Sequence, residues 1–345
     1  MPIIIGTDEA GYGPNLGALA VSATRWKISS NTAPFTTDGL SDRILADFQN
    51  RLDLIGKKGG LFPMIDSKKL YHSKGSLLPL ERSVFLALSL IEENSIIESL
   101  SLRDLKNRIC SNDRESFWEK DQNPMLPVDL SDQYREEMKE DLREIQSYLK
   151  KSEIKLEGVR SRRVVPREFN KELDSGKLKS DILAETTISL VMESLKDQDE
   201  QKCGKGDSEE FAIVLCDKLG GRNNYRGLLC SCFPDHRLEI QKESDAVSIY
   251  HLYPYGEDGD SSEYPSREIR FTAKGESWFP TALSSLFSKY LRELSMDLFN
   301  RYWLEKKPDL LPTAGYPVDA RRFYAEIASL RKELAIRDDD LWRKK

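Results

Sequence analysis

The hydrophobic pattern at the start of the chain predicts a strand, a turn and a second strand. Ile3, Ile4 and Ile5 form a short apolar run, which is typical of a strand buried on both faces. Glycines and a proline interrupt the pattern over 11–17, and apolar positions resume over 19–26. Glycine permits positive φ and lets another group approach the backbone closely. We therefore predict a hairpin whose turn is built for contact.

Apolar positions farther along the chain predict more helices and strands. Helices are predicted over 78–100, 131–151, 179–197, from Phe279 onward and over 320–335, and strands over 159–165, 211–217, 238–244, 246–253 and 267–273. Ser180 or Asp181 is the predicted cap of the helix over 179–197. The segment of about 95–155 is predicted to be a helical insertion with a charged, solvated face. This order indicates an α/β fold, with helices flanking a mixed β-sheet and a C-terminal helical extension.

The composition argues against membrane proteins, disulfide-stabilised proteins and zinc-ribbon proteins. The chain has 345 residues, with 52 Lys and Arg against 58 Asp and Glu, a net charge of −6 and 39% hydrophobic residues. No apolar run approaches the roughly 18 residues that span a bilayer, so no membrane association is expected. Five cysteines without a CxxC pair argue against a disulfide framework and a zinc ribbon. We predict a soluble, cytoplasmic protein. Its acidic balance does not favour nucleic acid as a partner but does not exclude it.

Acidic side chains follow predicted strands at several places. Asp8 and Glu9 end the first strand, and Asp217 ends the strand over 211–217. Glu276 precedes the C-terminal helices. Each of these acids also has an ordinary structural explanation. Asp8, Glu9 and Asp217 could form turns, and Glu276 could interact favourably with a helix dipole. Together they describe a site for one or two Mg²⁺ or Mn²⁺ ions, which prefer oxygen ligands and can support phosphodiester cleavage.

These residues also carry a resemblance to a known family. The segment DEAGYGP at 8–14 resembles the N-terminal DEAGRGP signature of type 2 ribonucleases H (ribonuclease HII), and DSKKL at 66–70 matches that family's DSKKL segment. The strand ending at Asp217 is similar to the one that carries the third catalytic carboxylate. AKGES at 273–277 resembles the family's KGD segment, and Gly315-Tyr316 falls where the family has a GY dipeptide.

The resemblance implies a ribonuclease H-like fold and endonucleolytic hydrolysis of RNA in RNA–DNA duplexes at a two-metal site. It implies that the catalytic metal ligands are Asp8, Glu9, Asp217 and Glu276, with Mg²⁺ or Mn²⁺ as the cofactor. It implies that the substrate-binding residues are Gly11, Tyr12, Gly13, Lys68, Lys69 and Tyr316. The glycine-loop backbone would recognise the ribose 2′-hydroxyl, which distinguishes RNA from DNA. The expected partner is an RNA–DNA hybrid or duplex DNA that contains ribonucleotides.

On this interpretation, residues 1–278 form the catalytic domain, including the insertion, and residues 279–345 form a C-terminal helical region. Lys274, Lys289 and Arg292 are further candidate phosphate contacts. The other candidate for the fourth ligand is Asp245, in the segment KESDA.

The sequence departs from the family pattern at two positions. Tyr12 replaces the loop arginine, which removes a phosphate-binding charge, and Glu276 is one methylene longer than the family's aspartate. With the acidic net charge, these departures motivate a second hypothesis. It describes a ribonuclease H-like protein that binds nucleic acid or another protein, with weak or no cleavage.

Overall fold

A computed structural model of the chain describes residues 1–29, 39–57, 76–92, 99–110, 112–127, 131–196, 210–256 and 259–344. Lys68, Lys69 and the rest of the DSKKL segment lie outside these residues. Cys110, Cys216, Cys230 and Cys232 are free thiols. Across the described chain, no helix combines the length and the apolar character needed to cross a membrane.

A mixed β-sheet is the centre of the fold. The strands are β1 (Ile3–Ala10), β2 (Leu19–Ile28), β3 (Leu100–Ser101), β4 (Met125–Leu126), β5 (Ile154–Val164), β6 (Ala212–Asp217), β7 (His236–Glu243), β8 (Val247–Pro254) and β9 (Arg267–Thr272). Seven of them form one sheet in the order β5-β2-β1-β6-β9-β8-β7, and β3 pairs with β4. β1 is antiparallel to β2 and parallel to β6, and β6 is parallel to β9. The remaining neighbours in the sheet are antiparallel.

Helices cover both faces of this sheet. They are α1 (Leu40–Lys57), α2 (Leu78–Ile91), α3 (Leu102–Ile109), α4 (Asp132–Lys151), α5 (Pro166–Asp174), α6 (Lys179–Leu195), α7 (Arg226–Cys232), α8 (Phe279–Lys306), α9 (Pro317–Glu326) and α10 (Ala328–Glu333). The strand order, the strand directions and these layers confirm the predicted fold class. The chain has a seven-stranded mixed sheet flanked by helices, with further helices in its C-terminal part.

Alternation along β1 divides the core into two layers. Ile4 packs in the layer that contains α8, whereas Ile3 and Ile5 pack in the layer that contains α6. Successive side chains of a strand point to opposite faces, so an unbroken apolar run buries both faces. β1 therefore lies in the middle of the molecule, and its end is supported from both sides.

Several predicted boundaries were wrong. The helix predicted to reach residue 100 ends at Ile91, because Glu92 leaves the helical region with φ −92° and ψ 83°. The last predicted helix is divided into α9 and α10 at Ile327. The N-cap of α6 is Leu178, and not Ser180 or Asp181. Asp181 instead accepts a hydrogen bond from the Leu178 backbone N–H at 3.1 Å, as the third residue of a capping box does.

The charged insertion contributes to the core as well as to the surface. Leu142, Ile145 and Leu149 on α4 are buried and belong to the same apolar layer as α8. The predicted division of the chain at residues 278 and 279 stays a prediction.

Candidate active site

The register of two parallel strands brings Asp8 beside Asp217. β1 and β6 run in the same direction, and Thr7 pairs with Cys216. The next residue on each strand is a carboxylate, so the two acids lie at the same edge of the sheet. This edge, at the carboxyl ends of parallel strands, is where α/β sheets place their binding sites. Asp8 lies within β1 and is 6% exposed.

Small residues let α8 approach the back of β1. A Cβ built on Gly6 would lie 2.2 Å from the Pro280 carbonyl carbon, so only glycine fits there. Ser284 Oγ donates to the Gly6 carbonyl at 2.8 Å, and Ser288 Oγ donates to the Asp8 carbonyl at 2.8 Å. Between them, the Ser285 hydroxyl hydrogen-bonds to the Asp8 carboxylate. The helix therefore fixes the backbone and the side chain of Asp8 together.

A tight turn brings Glu276 to the same edge. Lys274 adopts a left-handed conformation with φ 62°, and a 3₁₀ turn at Gly275–Ser277 follows. The Gly275 N–H donates to Asp217 Oδ1 at 2.9 Å. A Cβ on Gly275 would lie 3.2 Å from the Asp217 Cα. The missing side chain therefore lets the turn pack directly on the end of β6.

Electrostatic interactions connect all four predicted carboxylates. Burial raises the pKa of Asp8 well above its ordinary value, and the charges of Glu9 and Glu276 raise it further. Burial, followed by the charges of Asp217 and Glu276, raises the pKa of Glu9 to about 7. Each shift records the cost of burying a negative charge near others. A cluster of this kind favours protons or cations as its partners.

The chemistry of these side chains fits a divalent metal ion. Carboxylate oxygens are the ligands that Mg²⁺ and Mn²⁺ prefer. Glu9 Oε2 is buried and has no hydrogen-bond partner, which leaves its lone pairs open to a cation. Among the described side chains, no group of three or more His, Cys, Asp or Glu is arranged so that it could hold a metal ion. The donor atoms are therefore suitable, but their present arrangement does not form a coordination site.

The other candidate for the fourth carboxylate lies elsewhere. Asp245 is exposed and accepts a hydrogen bond from Asn223 Nδ2 at 2.7 Å. Its charge acts on Lys218, whereas the charge of Glu276 acts on both Asp8 and Glu9.

The glycine loop, defined as residues 11–17, lies next to the carboxylates and packs against the side chain of Arg292. Gly11 and Gly17 have φ angles of 84° and 83°, and a Cβ on either would lie within 2.7 Å of the Arg292 side chain. Arg292 is 3% exposed, and its Nη2 donates to the Ala314 carbonyl at 2.9 Å. Arg292 was a candidate phosphate contact, and that prediction was wrong because the side chain supports the loop from inside.

The predicted tyrosine lies beside the same loop. The Gly315 carbonyl accepts hydrogen bonds from the backbone of Asn15 at 2.9 Å and Leu16 at 3.2 Å. Tyr316 follows with 57% of its surface exposed, and its ring lies 3.9 Å from a Cβ placed on Gly13. The structure therefore brings the GY dipeptide and the glycine loop together, although they are separated by about 300 residues in sequence.

The side chain of Tyr12 is held by the protein. Its hydroxyl oxygen would lie 3.0 Å from a Cβ on Gly220, and Lys179 Nζ lies 4.4 Å from its ring centroid. Burial, and then the charge of Glu9, raise the pKa of Tyr12. The ring thus packs between the start of α6 and the turn after β6. This leaves Lys179 as a cation beside the loop, at a position that sequence reasoning missed.

Sequence reasoning also missed the serines behind Asp8. A signal was present, because Ser284, Ser285 and Ser288 recur at helical spacing within a segment of large apolar residues. Serines at these positions are also compatible with an ordinary amphipathic helix. Their role in holding Asp8 becomes visible only when α8 packs against β1.

No protein-family model matches the sequence, and no curated protein matches it. Several solved structures align with the chain. The ribonuclease HII in the PCNA:RNase HII complex from Archaeoglobus fulgidus aligns over 99% of this chain and 94% of its own, at 14% identity and a TM-score of 0.39. Bst-RNase HIII in complex with Mn²⁺ aligns over 99% of this chain and 66% of its own, at 13% identity and a TM-score of 0.43.

The ribonuclease H2 of Pyrococcus horikoshii OT3 aligns over 98% of this chain and 92% of its own, at 12% identity and a TM-score of 0.43. Because these TM-scores are below 0.5, the function of this chain has to be inferred from its own residues.

Proposed function

We propose that this protein is a metal-dependent endonuclease of the ribonuclease H type. It hydrolyses the RNA strand of RNA–DNA hybrids or cuts at ribonucleotides embedded in duplex DNA. The observation that carries the proposal is the parallel register of β1 and β6, which sets Asp8 beside Asp217 at a sheet edge, next to the turn that carries Glu276 and to the glycine loop. Buried carboxylates that repel one another are costly without a cation, and a structural role alone does not require them.

Asp8, Glu9, Asp217 and Glu276 would hold the metal, with Glu9 Oε2 as an oxygen that has no protein partner. A bound Mg²⁺ or Mn²⁺ supplies Lewis-acid activation of water and neutralises charge on the phosphate. Ser285 holds the Asp8 carboxylate in position, and the Gly275 N–H holds Asp217. Such supporting hydrogen bonds orient metal-binding side chains.

The glycine loop supports the choice of substrate. Gly13 is exposed, Gly11 and Tyr12 are half-buried, and Tyr316 lies beside them. Backbone groups without a large side chain can reach a ribose 2′-hydroxyl, the group that separates RNA from DNA. An exposed aromatic ring at the same place can stack on a sugar or base.

A cleavage assay with labelled duplexes tests this proposal. We expect Mg²⁺- or Mn²⁺-dependent cutting of a full hybrid or of a duplex with a single ribonucleotide, with 3′-hydroxyl ends and no cutting of an all-DNA duplex. Asp8→Asn and Asp217→Asn should each lower the rate by at least about a hundredfold, the upper range for loss of a metal's outer partners. Asp309→Asn, at an exposed carboxylate, is the matched control. Parent-like rates in both site variants would refute the assignment.

The same assay separates the two candidates for the fourth carboxylate. We expect Glu276→Gln to reduce cleavage strongly, because the charge of Glu276 acts on Asp8 and Glu9. Asp245→Asn should cut like the parent, since Asp245 is exposed and pairs with Asn223. The reverse outcome would assign the role to Asp245.

A second function has support of its own. No described group of carboxylates forms a ready metal site, and the Tyr12 ring is engaged by the protein where the resemblance expects a phosphate-binding arginine. Both observations favour a nucleic-acid-binding protein with weak or no cleavage. Binding of the hybrid without cutting in either metal would support that alternative.

A further inference from the structure

The end of the chain packs against the glycine loop. We define residues 337–344 as the C-terminal segment. The Arg343 backbone N–H donates to the Asn15 carbonyl at 2.8 Å, and Asn15 Nδ2 donates back to the Arg343 carbonyl at 3.1 Å. Leu16 and Trp342 form an antiparallel β-bridge. The loop is therefore paired at Asn15 and Leu16 with a segment more than 300 residues away in sequence.

The Arg343 side chain reaches beneath the loop. It is 1% exposed, and its Nη2 donates to the carbonyls of Gly11, at 2.5 Å, and Pro14. These carbonyls flank the part of the loop next to Tyr316. In a trans peptide the C=O and the following N–H point in opposite directions. Fixing the Gly11 carbonyl on Arg343 therefore directs the Tyr12 N–H away from Arg343.

Stability alone does not explain this arginine. Its Nε and Nη1 are buried without hydrogen-bond partners. Burial, and then the charge of Arg292, lower its pKa to about 9. Unpartnered buried donors and repulsion between cations both destabilise a fold. An apolar side chain of similar length would fill the space without these costs, so the observed contacts favour a geometric role.

Helix α5 ties the C-terminal segment to the rest of the molecule. Asn170 Nδ2 donates to the Trp342 carbonyl at 2.8 Å, and the Lys344 N–H donates to Asn170 Oδ1 at 2.9 Å. The Arg343 guanidinium carbon lies 5.1 Å from the Phe169 ring centroid. Phe169 and Asn170 are both buried. Arg343 therefore connects the loop to a helix, α5, whose position is fixed by packing.

We propose that Arg343 is a positioning residue, which holds the carbonyls of Gly11 and Pro14 so that the loop presents its backbone to the substrate's ribose. The proposal rests on the proposed function for its substrate, but the ordering of the loop is independent of it. Because Arg343 fixes the loop, and not the carboxylates, its loss acts on substrate recognition more than on the chemical step.

The test compares Arg343→Met and Arg343→Lys with the adjacent control Lys344→Met, whose side chain pairs with Asp174 at the surface. We expect Arg343→Met to raise KM for a ribonucleotide-containing duplex about tenfold, in the range expected for losing charged hydrogen bonds, with kcat nearly unchanged. Lysine should restore part of the loss because it retains a charged donor. The control should match the parent.

Hydrogen exchange of the same proteins gives the second readout. We expect faster exchange in peptides covering residues 9–18 for Arg343→Met, unchanged exchange in β5 and α6, and parent-like exchange for Lys344→Met. A lower kcat at unchanged KM, or unchanged exchange in the loop, would overturn the proposal. If Arg343→Met does not fold, the same comparison is made with Arg343→Lys. If the parent cuts no substrate, the proposed function fails, while the exchange data still decide whether Arg343 orders the loop.

Discussion

At the scale of single residues, the candidate site depends on two glycines as much as on its acidic side chains. Gly6 and Gly275 allow backbone to pack on backbone, at the back of β1 and at the end of β6. Through these contacts α8 supports Asp8 and the turn before it supports Asp217. A methyl group at Gly6 would collide with the backbone of α8, and one at Gly275 would press on the backbone of Asp217.

Gly6→Ala tests this at one position. Its Cβ would meet the Pro280 carbonyl carbon at 2.2 Å and the Thr281 nitrogen at 2.3 Å, both backbone atoms that cannot rotate away. We expect a loss of roughly 3 kcal/mol in the free energy of unfolding, the upper range for overpacking, measured by urea denaturation. Gly227→Ala is the control, because nothing lies within 4 Å of its added Cβ. Equal stability of the two variants would contradict the packing described.

The sequence predicts these residues to different extents. Asp8, Glu9 and Asp217 could be selected because each follows an apolar run, and the parallel register of β1 and β6 then explains why the first and the last of them are neighbours. Arg292 and Arg343 could not be assigned in advance. Their partners are carbonyls of the glycine loop and of Ala314, and no local pattern reports a contact to a distant backbone carbonyl.

At the scale of elements, a buried ionic cluster joins the insertion to the sheet. Arg163 on β5 pairs with Glu119 at 2.5 Å and with Asp113 at 2.6 Å. Lys106 on α3 pairs with Glu119 at 3.3 Å, and Ser295 on α8 donates to Glu119 at 3.0 Å. Three elements therefore meet at one carboxylate that is fully buried.

The types of most elements could be predicted, because α6, β6 and α8 keep the spacing of apolar residues that is typical of a helix or a strand. The buried ionic cluster could not be predicted, because Glu119 lies in a charged stretch whose pattern is typical of a solvated surface. Its burial depends on Arg163, which approaches from a strand 44 residues away. Charge pairing between distant segments leaves no periodic signal in the sequence.

Glu119→Gln should destabilise the fold in a pH-dependent way. Burial opposes ionisation of Glu119, but Arg163 and Lys106 outweigh it and lower its pKa from 4.5 to about 2. A depressed folded-state pKa gives stability that is present above pH 4.5 and is lost as the pH falls towards 2. We expect a loss of about 3 kcal/mol at pH 7, as for broken buried pairs, that shrinks below pH 4.5.

Thermal unfolding across this pH range provides the measurement. Glu115→Gln, a change at an exposed position nearby, should follow the parent at every pH. A pH-independent difference between Glu119→Gln and the parent would show that packing, and not charge, accounts for the loss.

At the scale of the whole molecule, four acidic side chains lie close together at the ends of the central strands, where little water can solvate them. The chain carries a net charge of −6, and Asp8 and Glu9 lie close to two further acids at the end of the central strands. The sheet, α8 and the turn at residues 275–277 all contribute to this convergence, so the repulsion is a property of the folded state. Unfolding separates the four carboxylates and relieves it.

A cation that binds the folded cluster should therefore stabilise the whole protein. Binding to the folded state alone adds about 2.7 kcal/mol at a concentration a hundredfold above Kd, so we expect Mn²⁺ to raise the melting temperature by a few degrees at constant ionic strength. Asp8→Asn removes one buried acidic group, whose ionisation the folded state opposes. It should raise the melting temperature without metal at neutral pH and diminish the shift with Mn²⁺. Asp309→Asn should keep the full shift.

If Mn²⁺ and NaCl at matched ionic strength change the melting temperature of the parent equally, the cluster does not bind the metal, and cleavage cannot be attributed to it.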